Sequence, residues 1–185
     1  MKAQISLLKF IPINSRILIV GGGTGWILHE ISTLFTGGLS IDYVEVSEKM
    51  IELSKQRNIG ANKVRFIHQA IEEFVNLEVY DVIITPFIFD NFTKKKIGSI
   101  FSKLLPMLKP KGLWLHADFV YDKSESPFWQ KILLKVMYFF FRITCRIETT
   151  ELVDLGPYFA QDFQKIFEGS FYFGFIKARA YKKHE

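Results

Sequence analysis

The stretch whose residue types and spacing are most constrained is "IVGGGTGW", residues 19–26. Gly21, Gly22, Gly23 and Gly25 crowd together there, with Thr24 before the last. Such a turn lets a ligand approach backbone N–H groups closely. It can hold a triphosphate, a dinucleotide's pyrophosphate, or a nucleoside with no phosphate, and spacing separates the three. A triphosphate loop requires G-x-x-x-x-G-K-[ST], and no lysine follows Gly25. A dinucleotide turn requires G-x-G-x-x-G, but here the sixth position is Trp26. The spacing present is G-x-G-x-G. Groups able to take a proton lie further along, at Asp90 and Asn91 and at His116, Asp118 and Tyr121. Strand alternation puts His116 and Asp118 on one face, where they can act together.

These residues must be positioned by regular elements. "RILIV" reads as a buried strand ended by the glycines, and Ile27, Ile31, Leu34 and Phe35 then recur at helical spacing until "TGG". "LSIDYVEV" is a second strand, and Ser47 caps the helix "EKMIELSKQR". "KVRFIH" is a third, followed by a short helix "AIEEFVN", and "YDVIITPF" is a fourth. Thr93 opens the helix "TKKKIGSIFSKLLPMLK", and "PKG" turns the chain into the strand "LWLHADF". This alternation predicts an α/β fold: a doubly wound, mostly parallel sheet covered on both faces. After Phe119 the rhythm changes. An apolar helix is expected within 128–145, and "ELVDLGPYFAQDFQKIF" reads as helical in its second half. "GSFYFGFIKARAYKK" reads as an antiparallel C-terminal edge. In such a sheet a ligand sits at the carboxyl ends of the strands, beside the first strand, where the glycine turn falls.

Several elements occur in a recognisable order: the G-x-G-x-G turn, Glu45 ending the second strand, Gln69–Ala70 after the third, Thr85–Pro86 closing the fourth, and "LLPMLKPKG" before the fifth. With them, residues 15–120 resemble the class I S-adenosylmethionine-dependent methyltransferases. The resemblance implies a Rossmann-like sheet with S-adenosylmethionine as cofactor. It implies that Gly21, Gly22, Gly23, Thr24 and Gly25 pass beneath the methionine part and that Glu45 accepts both ribose hydroxyls, with Val46 and Met50 also on the cofactor. Asp42, inside the strand, is the weaker candidate for the ribose. Gln69, beside Ala70, would accept from the adenine amino group, and Thr85 and Pro86 would border the sulfonium. The chain departs from the family pattern at Ile19, where many members carry an acid, at Gln69 in place of an aspartate, and at Lys111 in place of a glycine of "LKPGG". The segment after "DF" is loosely similar to that of ubiquinone/menaquinone C-methyltransferases, whose acceptors are prenylated quinols.

At 185 residues the chain is read as one domain, with residues 119–160 as a substrate cover. Cys145 is the one cysteine, which excludes an internal disulfide and zinc sites built on cysteine pairs, and no metal site is expected. No signal-peptide pattern precedes the first strand, so a cytoplasmic protein is expected. The apolar segment 128–145 is interrupted by Lys131, Lys135 and Arg142 and is too short to span a bilayer comfortably. It is read as a helix in the core or a homodimer interface, with a lid over an apolar substrate or peripheral contact with a membrane as the alternatives. The expected activity is methyl transfer to a small, apolar or aromatic acceptor, with Asp90, His116 and Asp118 as catalytic candidates. An RNA-modifying enzyme is the second reading, from the net charge of +5, "KKK" at 94–96 and "KARAYKK" near the end; a non-catalytic binding protein is the third. The sequence "TPFI" stands where amide and exocyclic-amine methyltransferases carry Asn/Asp-Pro-Pro-Tyr/Phe, which disfavours nucleic acid and protein as acceptors.

Overall fold

The computed structural model describes residues 2–120 and 152–185; Tyr121, Cys145 and the apolar segment 128–145 lie outside the described residues. The elements are α1 (Lys2–Leu8), β1 (Arg16–Val20), α2 (Trp26–Leu34), β2 (Gly37–Glu45), α3 (Glu48–Lys55), β3 (Ala61–His68), β4 (Tyr80–Pro86), α4 (Lys94–Leu104), β5 (Leu108–Phe119), α5 (Gly156–Phe159), β6 (Phe163–Phe171) and β7 (Ile176–Lys183). The sheet has seven strands in the order β3-β2-β1-β4-β5-β7-β6. β1 to β5 run parallel, while β7 pairs antiparallel with both β5 and β6. This is the expected doubly wound sheet with its antiparallel end. The strand order reverses beside β1, which places the switch point at the end of the strand that leads into the glycine turn.

The continuous apolar strands divide their side chains between two cores. Ile17, Ile19, Ile41, Tyr43, Val82, Ile84, Leu115 and Ala117 face α1, α2 and Ile51 of α3. Leu18, Val20, Val44, Ile83 and Trp114 face the opposite side, where α4 supplies Ile97, Ile100, Phe101 and Leu104. The second core is largely aromatic. Trp114 stacks on Phe101 with centroids 4.7 Å apart, and Phe159 of α5 meets both rings edge-on. Each such pair contributes about 0.5–1.5 kcal/mol beyond its buried area. α1 covers part of the face formed by β5, β6 and β7, burying Ala3, Leu7 and Leu8.

Three local expectations change. Residues 70–76 make a single turn, with the N–H groups of Glu73 and Phe74 both donating to Ala70 O. The Asn76 side chain ends that turn by donating to Tyr80 and Asp42. The second half of 151–167 is a strand. Phe163 and Phe167 have the spacing of one helix face, but the pairing of β6 with β7 shifts between Lys165 and Phe167. That bulge sends Phe163 into one core and Phe167 against the other, so an i, i+4 pattern arises without a helix. Third, "PKG" does not precede β5 but lies inside it, as an irregularity in its pairing with β4.

Lys111, where the resemblance calls for glycine, sits at φ 61. A left-handed conformation costs a side-chain-bearing residue about 1–2 kcal/mol, against about 0.5–1 kcal/mol for glycine's extra chain entropy. The Lys111–Glu185 ion pair is largely exposed and offsets little of this. Lys111→Gly is therefore expected to raise stability by about 0.5–1 kcal/mol. Thermal melts should show a rise of a few degrees at most, and a lower melting temperature would show that the strain is relieved locally.

Candidate functional site

The carboxyl ends of β1, β2 and β3 form one rim. At its centre the glycine turn is gripped from beneath. Gly21 N–H donates to Val44 O at 2.9 Å, and the Tyr43 hydroxyl donates to Gly23 O at 2.8 Å. Gly25, at φ 73, opens α2, and a Cβ there would lie 2.7 Å from the Cα of Ser54 in α3, so no larger residue fits. Gly23 differs. Its φ of 60 favours glycine, yet a Cβ there would meet nothing within 4 Å. The turn is thus packed on its inner side and open at Gly23.

Glu45 stands beside that opening, 7% exposed. Its Oε2 accepts from Gly23 N–H at 3.1 Å and its Oε1 from Ser47 N–H at 3.0 Å. Each oxygen keeps a further lone pair for a ligand. Val46 is 65% exposed, and Met50 is half-buried in the first turn of α3. Gln69 is tied to the same place, its N–H donating to Glu45 O at 3.1 Å, and Ala70 follows it. Arg57 braces the far side of the turn through its Nε, 2.9 Å from Thr24 O. Asp42 is committed elsewhere. It accepts from Arg65 Nε at 2.8 Å and from the Tyr80 hydroxyl at 2.6 Å.

Beyond β4 the rim continues into a cavity of about 470 Å³. The joint is Ile88, whose Cδ1 lies 2.9 Å from where a Gly21 Cβ would stand. Phe89, Asp90, His116, Asp118, Phe119 and Arg179 form much of its wall, with residues 152–155 opposite. Asp118 Oδ2 accepts from Phe89 N–H at 3.1 Å and its Oδ1 from Phe119 N–H at 2.9 Å. Asp90 Oδ1 accepts from the neighbouring Asn91 amide at 2.8 Å. Thr85 is fully buried below the cavity, its hydroxyl accepting from Trp114 Nε1 at 2.9 Å and lying 3.3 Å from His116 Nδ1. Pro86 is also buried, and its Ala117 partner on β5 carries the carbonyl that accepts from Phe87 N–H.

The cavity sets unusual protonation states. Burial pushes the Asp90 carboxyl up to about 7. Burial, and then the neighbouring Asp90 charge, raise Asp118 well above the usual carboxylate range against the pull of three backbone N–H groups. Burial and the charge of Arg179 push His116 down to about 3, so its ring is neutral at physiological pH. Arg179 itself is held by Glu168, with Nε 2.9 Å from Oε2. The structure therefore gathers Gly21–Gly25, Glu45, Val46, Gln69 and Ala70 at one place. Asp90, His116 and Asp118 gather at a second, joined to the first through Ile88. Tyr43, Arg57 and Arg179 were not among the sequence candidates. Arg179 reaches His116 only through the antiparallel pairing of β7 with β5, which leaves no local signal in the chain. Among the described residues no group of three His, Cys, Asp or Glu side chains is arranged to hold a metal ion, and no helix is long and apolar enough to cross a membrane.

A family profile described as "Methyltransferase domain" matches residues 17–112. The malonyl-[acyl-carrier protein] O-methyltransferase of Halalkalibacterium halodurans is 33% identical over 107 residues, covering 56% of this chain and 38% of that protein. The ubiquinone/menaquinone biosynthesis C-methyltransferase UbiE of Wigglesworthia glossinidia brevipalpis is 32% identical over 125 residues, covering 64% of this chain and 48% of that protein. The chain thus spans less than half the length of either relative. Among solved structures, the N-methyltransferase NodS of Bradyrhizobium japonicum WM9 superposes with a TM-score of 0.69 at 12% identity, covering 100% of this chain and 93% of that one. The same enzyme in complex with S-adenosyl-L-homocysteine superposes equally, with a TM-score of 0.69 at 13% identity, covering 100% of this chain and 85% of that one.

The protonation states carry a stability prediction. Asp118 holds its proton to a higher pH in the native state than in the unfolded chain, where the reference value is 3.8. Its contribution is therefore full below that value and is lost as pH rises through the native pKa. Asp118→Asn cannot ionise and escapes this loss, while giving up one acceptor oxygen at a cost of about 1 kcal/mol at every pH. Denaturant titrations of the two proteins at pH 4, 6 and 8 should shift steadily in the variant's favour as pH rises. A difference that does not change with pH would mean that the carboxyl is not strained by burial.

Proposed function

Because this chain belongs to the class I S-adenosylmethionine-dependent methyltransferases, we propose that it transfers the methyl group of S-adenosylmethionine to a small, apolar or aromatic acceptor seated in the cavity beside β5. The observation that carries this reading is that the cavity wall begins at Phe89, the residue after Ile88, whose side chain packs against Gly21 of the glycine turn.

The residues at the turn fit the cofactor's chemistry. Gly23 leaves an open approach over a backbone that carries no cation directed at a phosphate, as an uncharged ribose and an amino-acid tail require. Glu45 is fixed by two N–H groups and keeps lone pairs for two hydroxyls; hydrogen bonds to a charged group are worth about 1.5–3 kcal/mol each. Val46 offers exposed apolar surface for the adenine, and Gln69 lies beside it with a side-chain carbonyl for the amino group. In this reading Met50 and Ala70 also lie on the cofactor, and Thr85 and Pro86, both buried, lie behind its sulfonium end.

When bound, the cofactor supplies an electrophilic methyl group on a sulfonium whose leaving group is a neutral thioether. The chain's own work is alignment, which can supply about 7–11 kcal/mol of a barrier. Phe89, Phe119, Leu152 and Leu155 give the acceptor an apolar seat. Asp90, pushed up to about 7, stands where a proton leaving the nucleophile is taken up, with Asp118 beside it and the neutral His116 ring orienting the nucleophile.

Calorimetric titration tests the cofactor half directly. Wild type should bind S-adenosylmethionine and S-adenosylhomocysteine in the micromolar range and NADH not at all. Glu45→Ala should lose at least tenfold in affinity, equivalent to about 1.4 kcal/mol. Glu45→Gln, which keeps one acceptor oxygen for the turn, should fall between. Unchanged affinity in Glu45→Ala would end the ribose assignment.

A further inference from the structure

The cavity wall is acidic in a way the rest of the molecule is not. Buried acids in a folded protein are normally paired or hydrogen-bonded; Glu45 is held by two backbone N–H groups at the other rim, and two further acids are closed by cations. Asp42 is closed by Arg65, Arg16 and Tyr80, and Glu168 by Lys165, Lys177 and Arg179. Asp90 and Asp118 are 6% and 4% exposed, yet their partners among the described residues are backbone N–H groups and one neutral amide. Arg179, the cation in the wall, is turned to Glu168. His116 is 1% exposed and is engaged at Nδ1 by Thr85, and no described residue bonds its Nε2. Three buried polar side chains thus converge on one cavity whose cation among the described lining residues, Arg179, is engaged by Glu168.

We propose that the acceptor is a primary amine with an apolar body, its ammonium received by Asp90, Asp118 and His116 and its body by Phe89, Phe119 and Leu152. An ammonium group has three N–H donors and no acceptor, which matches the lone pairs the two carboxyls keep beyond their present N–H partners, together with His116 Nε2. Its single charge supplies a counter-ion for one carboxylate, so one of the two carboxyls ionises on binding and the other keeps its proton. A carboxylate acceptor would bring a negative group to a pair of acids, and an alcohol would bring no charge to stabilise either carboxylate. The aromatic walls also favour a cation over a neutral headgroup.

Transfer requires the amine's lone pair. One N–H proton passes to the Asp90 or Asp118 carboxylate; the nitrogen pair forms the N–C bond; the S–C bond breaks with its electrons remaining on sulfur. The product is a secondary ammonium plus S-adenosylhomocysteine, and the charges balance. The carboxyl keeps that proton as the product ammonium leaves, so the net proton released by the reaction is the one given to solvent when the carboxyl ionised on binding.

This inference rests on the cavity being the acceptor site, and the test separates the two. The full chain is first titrated with S-adenosylhomocysteine, then, saturated with it, with matched amine, alcohol and carboxylate probes on three bodies: 2-phenylethyl, 2-(indol-3-yl)ethyl and n-octyl. The amine of at least one body should bind tenfold or more tighter than its alcohol, and the carboxylate weakest. Asp90→Asn and Asp118→Asn should each remove that preference while leaving the alcohol within twofold; thermal melts confirm that the variants fold. Binding of S-adenosylhomocysteine with no amine preference on any body overturns the inference and leaves the cofactor reading standing. Amine preference without S-adenosylhomocysteine binding does the reverse. A preference that survives both Asn variants also overturns it.

Discussion

The molecule depends on one cross-link, the carboxylate of Glu45 bridging Gly23 N–H and Ser47 N–H. It fastens the turn after β1 to the start of α3, the two places where a parallel sheet leaves backbone N–H groups unpaired at its carboxyl edge. Everything nearby presses on that turn: Ser54 against Gly25, Tyr43 beneath Gly22, Ile88 over Gly21. A glycine-rich segment loses more conformational entropy on folding than any other, so it stays ordered only where strong bonds and close packing hold it. Two charge-assisted bonds at about 1.5–3 kcal/mol each are of the right size to do so. The acid at the end of β2 therefore has a structural duty before any ligand arrives, and a ribose would use lone pairs already aimed by it.

Much of this was legible in the chain. The β1-to-β5 alternation, the switch point and the glycine turn follow from apolar runs and punctuation, because parallel strands buried on both faces leave little else for those residues to be. Glu45 was legible as an acid at a strand end. Its double grip on the turn was not, since that depends on β2 lying beside β1 in register from Arg16–Ser40 to Val20–Val44. The errors have one physical source. Phe163 and Phe167, like Ile71 and Phe74, carry helical spacing, but a bulge in β6 and the side-chain bonds of Asn76 decided the backbone instead. Periodicity reports which side chains must be buried, and it does not report how the backbone between them turns.

The cavity was only half legible. His116 and Asp118 share a face because β5 alternates, and the sequence shows that. Asp90 joins them because the chain after β4 makes a tight 3-10 turn at Phe89–Asn91 instead of entering α4 directly, and that turn puts Phe89 N–H on Asp118. No local pattern announces it. Arg179 enters from a strand that pairs antiparallel with β5, opposite His116 and far from it in the chain.

The clearest lesson lies in two aspartates of equal burial. Asp42 and Asp118 are each 4% exposed. For both, burial is the largest influence and works to raise the carboxyl. In Asp42 the hydrogen bonds of Arg65 and Tyr80 and the charges of Arg65 and Arg16 outweigh it, so the group titrates below the ordinary carboxylate range. In Asp118 the neighbours are backbone N–H groups and a second acid, and burial wins. The first arrangement is complete as it stands and joins four strands of the sheet. The second is strained, and a fold that closes Asp42 with two arginines has left this pair facing about 470 Å³ of space. Strain of this kind persists where a ligand relieves it, because a native state that bears the cost without the ligand gains affinity from its removal. The position of these acids, Asp118 near the end of β5 and Asp90 two residues beyond the contact between Ile88 and the glycine turn, puts that relief close to the rim that Glu45 holds in shape.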